Sequence, residues 1–209
     1  MKKFTKYLLT EFGGKAVTRE EFENVCKRFG EKAERVINFM ISYGYLIRVL
    51  RGLYYVKTLE EFSTRKSVST LKVISLGMKK LGVEWYFGLN TALRLSGVMH
   101  EFSPVIHVLS DTIYRPKVIN INGEDVKFIK LKKELFGFGV VEKNEIKYSD
   151  LEKTLLDMVY LSRYRSLPSE RIVATLKEYG KNVRRKKLAE YLRFYPKSVG
   201  NVVRNAGLV

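Results

Sequence analysis

The chain has 209 residues, 45% of them hydrophobic and 12% aromatic, with a single cysteine and a net charge of +17. Those values suit one large or two small folded domains and exclude a disordered chain. No apolar run approaches the ~20 residues of a membrane span, and MKKFTKYLLTEFGGK is too weakly apolar for a signal peptide. Cys26 has no partner for an intramolecular disulfide, so a cytoplasmic location is expected.

The charge is unevenly spread. Residues 1 to 58 hold twelve Lys and Arg against six Asp and Glu, a net +6. Residues 163 to 209 hold twelve against three, a net +9, whereas residues 59 to 162 carry only +2. Basic ends around a nearly neutral middle point to a polyanion, with nucleic acid favoured over a membrane surface.

KKFTKYLLTEF predicts a first helix, with Phe4, Tyr7, Leu8 and Phe12 on one stripe and Gly13-Gly14 at its end. Thr18 and Glu21 form a capping box for a second helix running to about Phe29. EKAERVINFMISYG then predicts a third. Its apolar face gathers Ala33, Val36, Ile37, Met40 and Ile41, and Arg35, Asn38 and Ser42 fall opposite. YLIRVL and LYYVK, joined by Arg51-Gly52, predict a hairpin.

Three helices and a hairpin within residues 1 to 58 make a winged helix-turn-helix. Its third helix is of a size to enter a major groove. Arg35 and Asn38 are of types that contact guanine and adenine edges, with Ser42 on the same face. Lys32 is placed to hold phosphate, and Arg48 and Arg51 in the wing to hold backbone or reach the minor groove. Glu31 and Glu34 argue the other way, toward a protein-binding winged helix.

Residues 58 to 69, TLEEFSTRKSVS, are polar and read as a hinge. From residue 67 to 209 an α+β domain is expected. It begins with a helix over 69 to 81, the strand EWYFGL, a helix over 90 to 95 and the alternating strand PVIHVLSD. KVININ and DVKFIKL flank a turn at Asn122-Gly123, and Ser149 with Glu152 reads as a second capping box ahead of LEKTLLDMVYL. Lys153 and Asp157 read there as an i,i+4 surface pair.

YFGLNTALRLSGV followed by a strand is how nucleotidyltransferase-like domains begin. In those enzymes two carboxylates spaced by two on the next strand hold metal ions. Here that strand carries His107 and ends at Asp111. The expectation is therefore a degenerate, non-catalytic relative of that fold with a small mixed sheet, no metal and no cofactor. Gly88 is read as permitting the turn, and Ala92, Leu93 and Leu95 as core.

Three helices close the chain, within residues 163 to 209. Arg184, Arg185, Lys186 and Lys187 crowd the start of the middle one, where cations oppose the helix dipole unless an anion is near. They are read as a DNA-phosphate patch or a solvated basic face.

The order YFGLNTALRLSGV, alternating strand, hairpin, then LEKTLLDMVYL, behind an N-terminal winged helix, resembles the AbiEi-type antitoxins of abortive-infection toxin–antitoxin systems. The likeness spans nearly the whole chain and is strongest over residues 84 to 162. It implies a transcriptional autorepressor that binds double-stranded repeats in its own promoter, with paired copies on the DNA. It also implies an antitoxin that counteracts a nucleotidyltransferase-like toxin through its C-terminal domain. The alternatives are a transcription factor whose C-terminal domain senses a ligand, and a divergent nucleotidyltransferase acting on RNA.

Overall fold

The computed structural model describes residues 2–64, 68–100, 103–164 and 169–209. It divides into two compact units, Met1–Val83 with Asn120–Glu124, and Glu84–Ile119 with Asp125–Val209. In this division the first unit runs to Val83, whereas the sequence places the break between residues 58 and 67.

The first unit starts with α1 (Lys2–Phe12), β1 (Ala16–Thr18), α2 (Arg19–Arg28), α3 (Ala33–Ser42), β2 (Leu46–Leu50) and β3 (Leu53–Val56). The strands make an antiparallel sheet in the order β1-β3-β2. This is the winged-helix arrangement expected from the sequence, with β1 added; at three residues it is too short to show an alternating pattern. The Thr18 box forms as expected. Its hydroxyl accepts from the Glu21 N–H at 3.3 Å, and the Glu21 carboxylate accepts from the Thr18 N–H at 2.8 Å. Leu8, Phe22, Cys26, Met40 and Val56 are fully enclosed in one apolar cluster. The exposed cations below are therefore carried on a rigid frame.

The polar stretch after β3 is not a hinge over its first half. Thr58 and Glu61 form a further capping box, opening α4 (Leu59–Ser63). The Tyr55 hydroxyl donates to Glu61 at 2.9 Å and ties α4 to the sheet. Residues 65 to 67 of the expected hinge lie outside the described residues. α5 (Thr70–Leu81) packs so closely that a Cβ on Gly77 would stand 2.9 Å from the Val49 side chain.

The other strands are β4 (Trp85–Phe87), β5 (Val105–Ser110), β6 (Ile119–Ile121), β7 (Glu124–Lys130), β8 (Val140–Lys143) and β9 (Ile146–Ser149). They form a mixed six-stranded sheet, β6-β7-β5-β4-β9-β8. β5 runs parallel to β7 and β4 parallel to β9, whereas β4/β5 and β8/β9 are antiparallel. The turn at Asn122-Gly123, both with positive φ, matches expectation. The helices are α6 (Leu89–Leu95), α7 (Leu151–Tyr164), α8 (Ser169–Tyr179), α9 (Arg185–Tyr191) and α10 (Lys197–Asn205). Leu155, Leu156 and Val159 of α7 share one core with Leu176, Leu188, Val199 and Val203 of the last three helices. The fold is α+β, as the sequence implied.

Candidate nucleic-acid interface

α3 sorts its residues by face. Val36, Ile37 and Met40 are buried, and Arg35, Asn38 and Ser42 are exposed, lying within about 60° of one another at 100° per residue. Lys32, at the N-cap, is exposed too, and so is Glu34 in the first turn. The Ser42 hydroxyl donates to the Phe39 carbonyl at 2.9 Å and keeps its lone pairs for a donor outside.

In the hairpin, Arg48 is the one exposed residue of β2, where the register shifts, and Arg51 is exposed in the turn. Gly52 supports that turn with φ +78°, and its carbonyl accepts from Arg19 N–H at 2.8 Å. Among the described residues, the side chains of Lys32, Arg35, Asn38, Arg48 and Arg51 have no hydrogen-bond or ion-pair partner. They are cations and an amide held on folded elements without an internal use.

The second basic cluster differs. Arg184 is the N-cap of α9, and Arg185, Lys186 and Lys187 form its first turn. The anion that this placement calls for is internal. Glu152, almost fully buried, accepts from the Arg184 backbone N–H at 2.9 Å and stands 3.6 Å from the Lys187 ammonium and from Arg184 Nε. Lys187 also pairs with Asp150 at 2.7 Å. Burial lowers the Lys187 pKa, but Asp150 and then Glu152 outweigh it and the pKa is raised overall. Lys187, and in part Arg184, are thus committed to the start of α7. Arg185 and Lys186 are exposed and unpaired among the described residues.

This also corrects the expected Ser149–Glu152 box. The Lys153 N–H is accepted by Asp150 at 2.9 Å, the Ser149 hydroxyl meets Thr154 at 2.7 Å, and Glu152 serves α9 instead. Asp150 and Glu152 have the spacing of two that a metal-binding pair would have, yet both are occupied by Lys187. The described residues hold no cluster of three or more His, Cys, Asp or Glu.

Lys153 and Asp157 are not a surface pair. Both are fully buried. The Lys153 ammonium stands 3.4 Å from Asp157 and 3.3 Å from the Tyr195 hydroxyl. It lies 4.5 Å from the Phe138 ring centroid, 4.9 Å from that of Tyr86 and 5.7 Å from that of Tyr195. Asp157 accepts from Tyr195 at 2.6 Å and from Tyr86 at 2.8 Å. Gly139, at φ +64°, leaves the space: a Cβ there would lie 2.8 Å from Lys153 Cβ and 2.9 Å from the Tyr191 ring.

Burial holds the Lys153 amine below its ordinary value, against Asp157 and Asp150. Burial also pushes Asp157 up, against Lys153 and the two hydroxyls. Both shifts lean toward neutral forms. Two hydroxyl donors on the carboxylate and three ring faces around the amine favour the ionised pair, and that geometry decides. The network ties β4, α7 and the segment before α10 into one polar core.

The glycine turn works otherwise than the sequence implied. Gly88 is extended, with φ −127°, and the positive φ belongs to Leu89 at 54°. Glycine is needed at 88 because a Cβ would lie 2.6 Å from Leu109. Ala92 and Leu93 are fully buried, and Leu95 only partly. Leu89, Asn90 and His107 line a cavity of about 410 Å³ with Met158, Ser162 and Thr175. The His107 backbone N–H donates to Thr91 Oγ1 at 2.9 Å.

The sequence matches no protein-family model and no curated protein. In structure the chain is similar to the RV2827C protein from Mycobacterium tuberculosis. The two share 13% identity over 98% of this chain and 76% of that one, with a TM-score of 0.58. At that identity the likeness bears on the fold alone.

Proposed function

We propose that the protein is a DNA-binding transcriptional autorepressor and antitoxin. It reads double-stranded repeats in its own promoter through α3 and counteracts a nucleotidyltransferase-like toxin through its second unit. The DNA-binding part rests on one observation: Arg35, Asn38 and Ser42 share an exposed face of the third helix of a winged helix, flanked by unpaired Lys32, Arg48 and Arg51. The residue types suit base edges on the helix and phosphate around it. Arg185 and Lys186 add phosphate contacts; Lys187 is excluded from that role by Asp150 and Glu152. The antitoxin part rests on the sequence resemblance to AbiEi-type proteins.

Fluorescence anisotropy on the protein's own promoter duplex tests the first part. Arg35→Ala and Asn38→Ala should each weaken binding by about 1–3 kcal/mol and relax preference at one base pair. Arg48→Ala with Arg51→Ala should weaken all sequences alike and flatten the salt dependence by about one unit per phosphate lost. Unchanged binding in all three variants overturns the assignment. Co-expression with a neighbouring nucleotidyltransferase-like protein tests the second part: growth arrest relieved by this chain supports it, and arrest that persists sinks it.

A second reading, a regulator with a ligand-sensing C-terminal unit, is favoured by the cavity at Leu89, Asn90 and His107. Its volume is within the range of small-molecule sites, and its lining is largely apolar with a few polar groups.

A further inference from the structure

The middle of the chain is nearly neutral overall, yet one groove in it is not. β5 and β7 run parallel, and the chain leaves their carboxyl ends through residues 111 to 118 and 131 to 135. Beside those ends is a groove of about 550 Å³. Lys127, Lys130 and Lys132 line it with Tyr114 and Tyr160, over a floor of Ile129, Leu131 and Leu161. Among the described residues, no carboxylate lines it. The nearest acids in sequence, Asp111, Asp125 and Glu134, are not part of the lining.

Among the described residues, none of these lysines has an ion-pair partner. Lys127 donates to the Pro116 carbonyl, which orients the amine and leaves its charge. Lys130 and Lys132 are exposed and have no partner among the described residues. Tyr114 is 56% exposed, so part of an aromatic side chain meets solvent at the groove.

We propose that this groove binds a single-stranded nucleic acid, with Lys130 and Lys132 on successive phosphates and a base stacked on Tyr114. Three ammonium groups without a carboxylate call for a polyanion. An aromatic ring among them calls for one that also offers flat faces, and single strands do so. The bases of a duplex are already stacked on one another and offer no free face to the Tyr114 ring. The carboxyl ends of parallel strands are also where α/β sheets place their ligands. This site is separate from the winged-helix face and does not depend on it.

The test is anisotropy of the full chain with a labelled single-stranded oligonucleotide of about 12 residues, within the usual span of such sites. Tyr114→Ala should weaken binding at least about fivefold, and Tyr114→Phe should restore it. Lys130→Ala with Lys132→Ala should weaken it about tenfold and lower the salt slope by about 1.4, at about 0.7 per phosphate. Lys177→Ala with Lys181→Ala, an equal charge loss on another surface, serves as the control and should change affinity less than twofold. All five positions are exposed, so unchanged melting temperatures are expected alongside. The proposal is overturned if Tyr114→Ala binds like the parent, or if the control pair loses as much as the groove pair. It is also overturned if poly-glutamate competes with the same dependence on Tyr114, which would make the partner an acidic protein.

Discussion

α3 and α7 carry similar mixtures of charged and apolar residues and use them in opposite ways. On α3 the polar residues share one face and that face meets solvent. On α7 they do not sort by face: Glu152, Lys153, Thr154 and Asp157 are all buried, as are Leu155, Leu156 and Val159. α7 shares one core with Tyr86, Leu109 and Ile129 of the sheet and with the C-terminal helices, and α6 packs against it as well. A helix packed on one side can be read from its wheel. A helix packed all round must satisfy each charge internally, and the wheel says nothing about how. The charges of α3 are therefore available to a partner, and those of α7 are committed to the fold.

Four substitutions sharpen or break this contrast. Asp157→Ala should be the most costly, at about 3–5 kcal/mol by chemical denaturation, because it leaves the buried Lys153 ammonium without its counter-ion and the Tyr86 and Tyr195 hydroxyls without their acceptor. A loss under about 1 kcal/mol would mean the Lys153–Asp157 pair is not the native arrangement. Lys153→Met should cost less, about 1–3 kcal/mol, since the carboxylate keeps both tyrosyl donors. Thr18→Ala removes one half of the first capping box and should cost about 1 kcal/mol. Arg35→Ala should stay within about 0.5 kcal/mol in the same assay while weakening duplex binding. If it destabilised the chain like Asp157→Ala, the α3 face would be structural.

The capping box also has a pH signature. Burial raises the Glu21 pKa, but its bonds to Lys80 and to Thr18 outweigh that and the value is lowered overall. A lowered carboxylate value means that the folded state holds its proton less tightly than the unfolded one. The contribution is therefore fully present above the ordinary glutamate range and fades as pH falls through the lowered value. Glu21→Gln should flatten that part of the stability–pH curve. Since Glu21 is more than a third exposed, solvent screening keeps the effect small.

The legible parts of the fold are those with local causes. The Thr18–Glu21 box, the amphipathic stripe of α3 and the Asn122–Gly123 turn each depend on residues a few positions apart, and each is present. The parts that were not legible have distant causes or lack punctuation. The β8–β9 hairpin turns at Asn144-Glu145, both at positive φ without a glycine. Asp150 displaced Ser149 as the cap of α7 because Tyr191 and Lys187, some forty residues on, bond to its other oxygen. That Arg35, Asn38 and Ser42 share an exposed face of α3 was legible from spacing alone. The groove at Tyr114 was hidden within a neutral stretch, because Tyr114 joins the lysines of β7 only when the loop after β5 folds beside that strand.

The burial of Lys153 gives the molecule a built-in chronometer. An amine-acylating reagent reaches the exposed lysines of the native chain at once. It reaches Lys153 only when the three rings and Asp157 separate, because that ammonium has no solvent-exposed surface. The rate at which this one residue is labelled would therefore count the openings of the α7 core, at single-residue resolution and without any substitution.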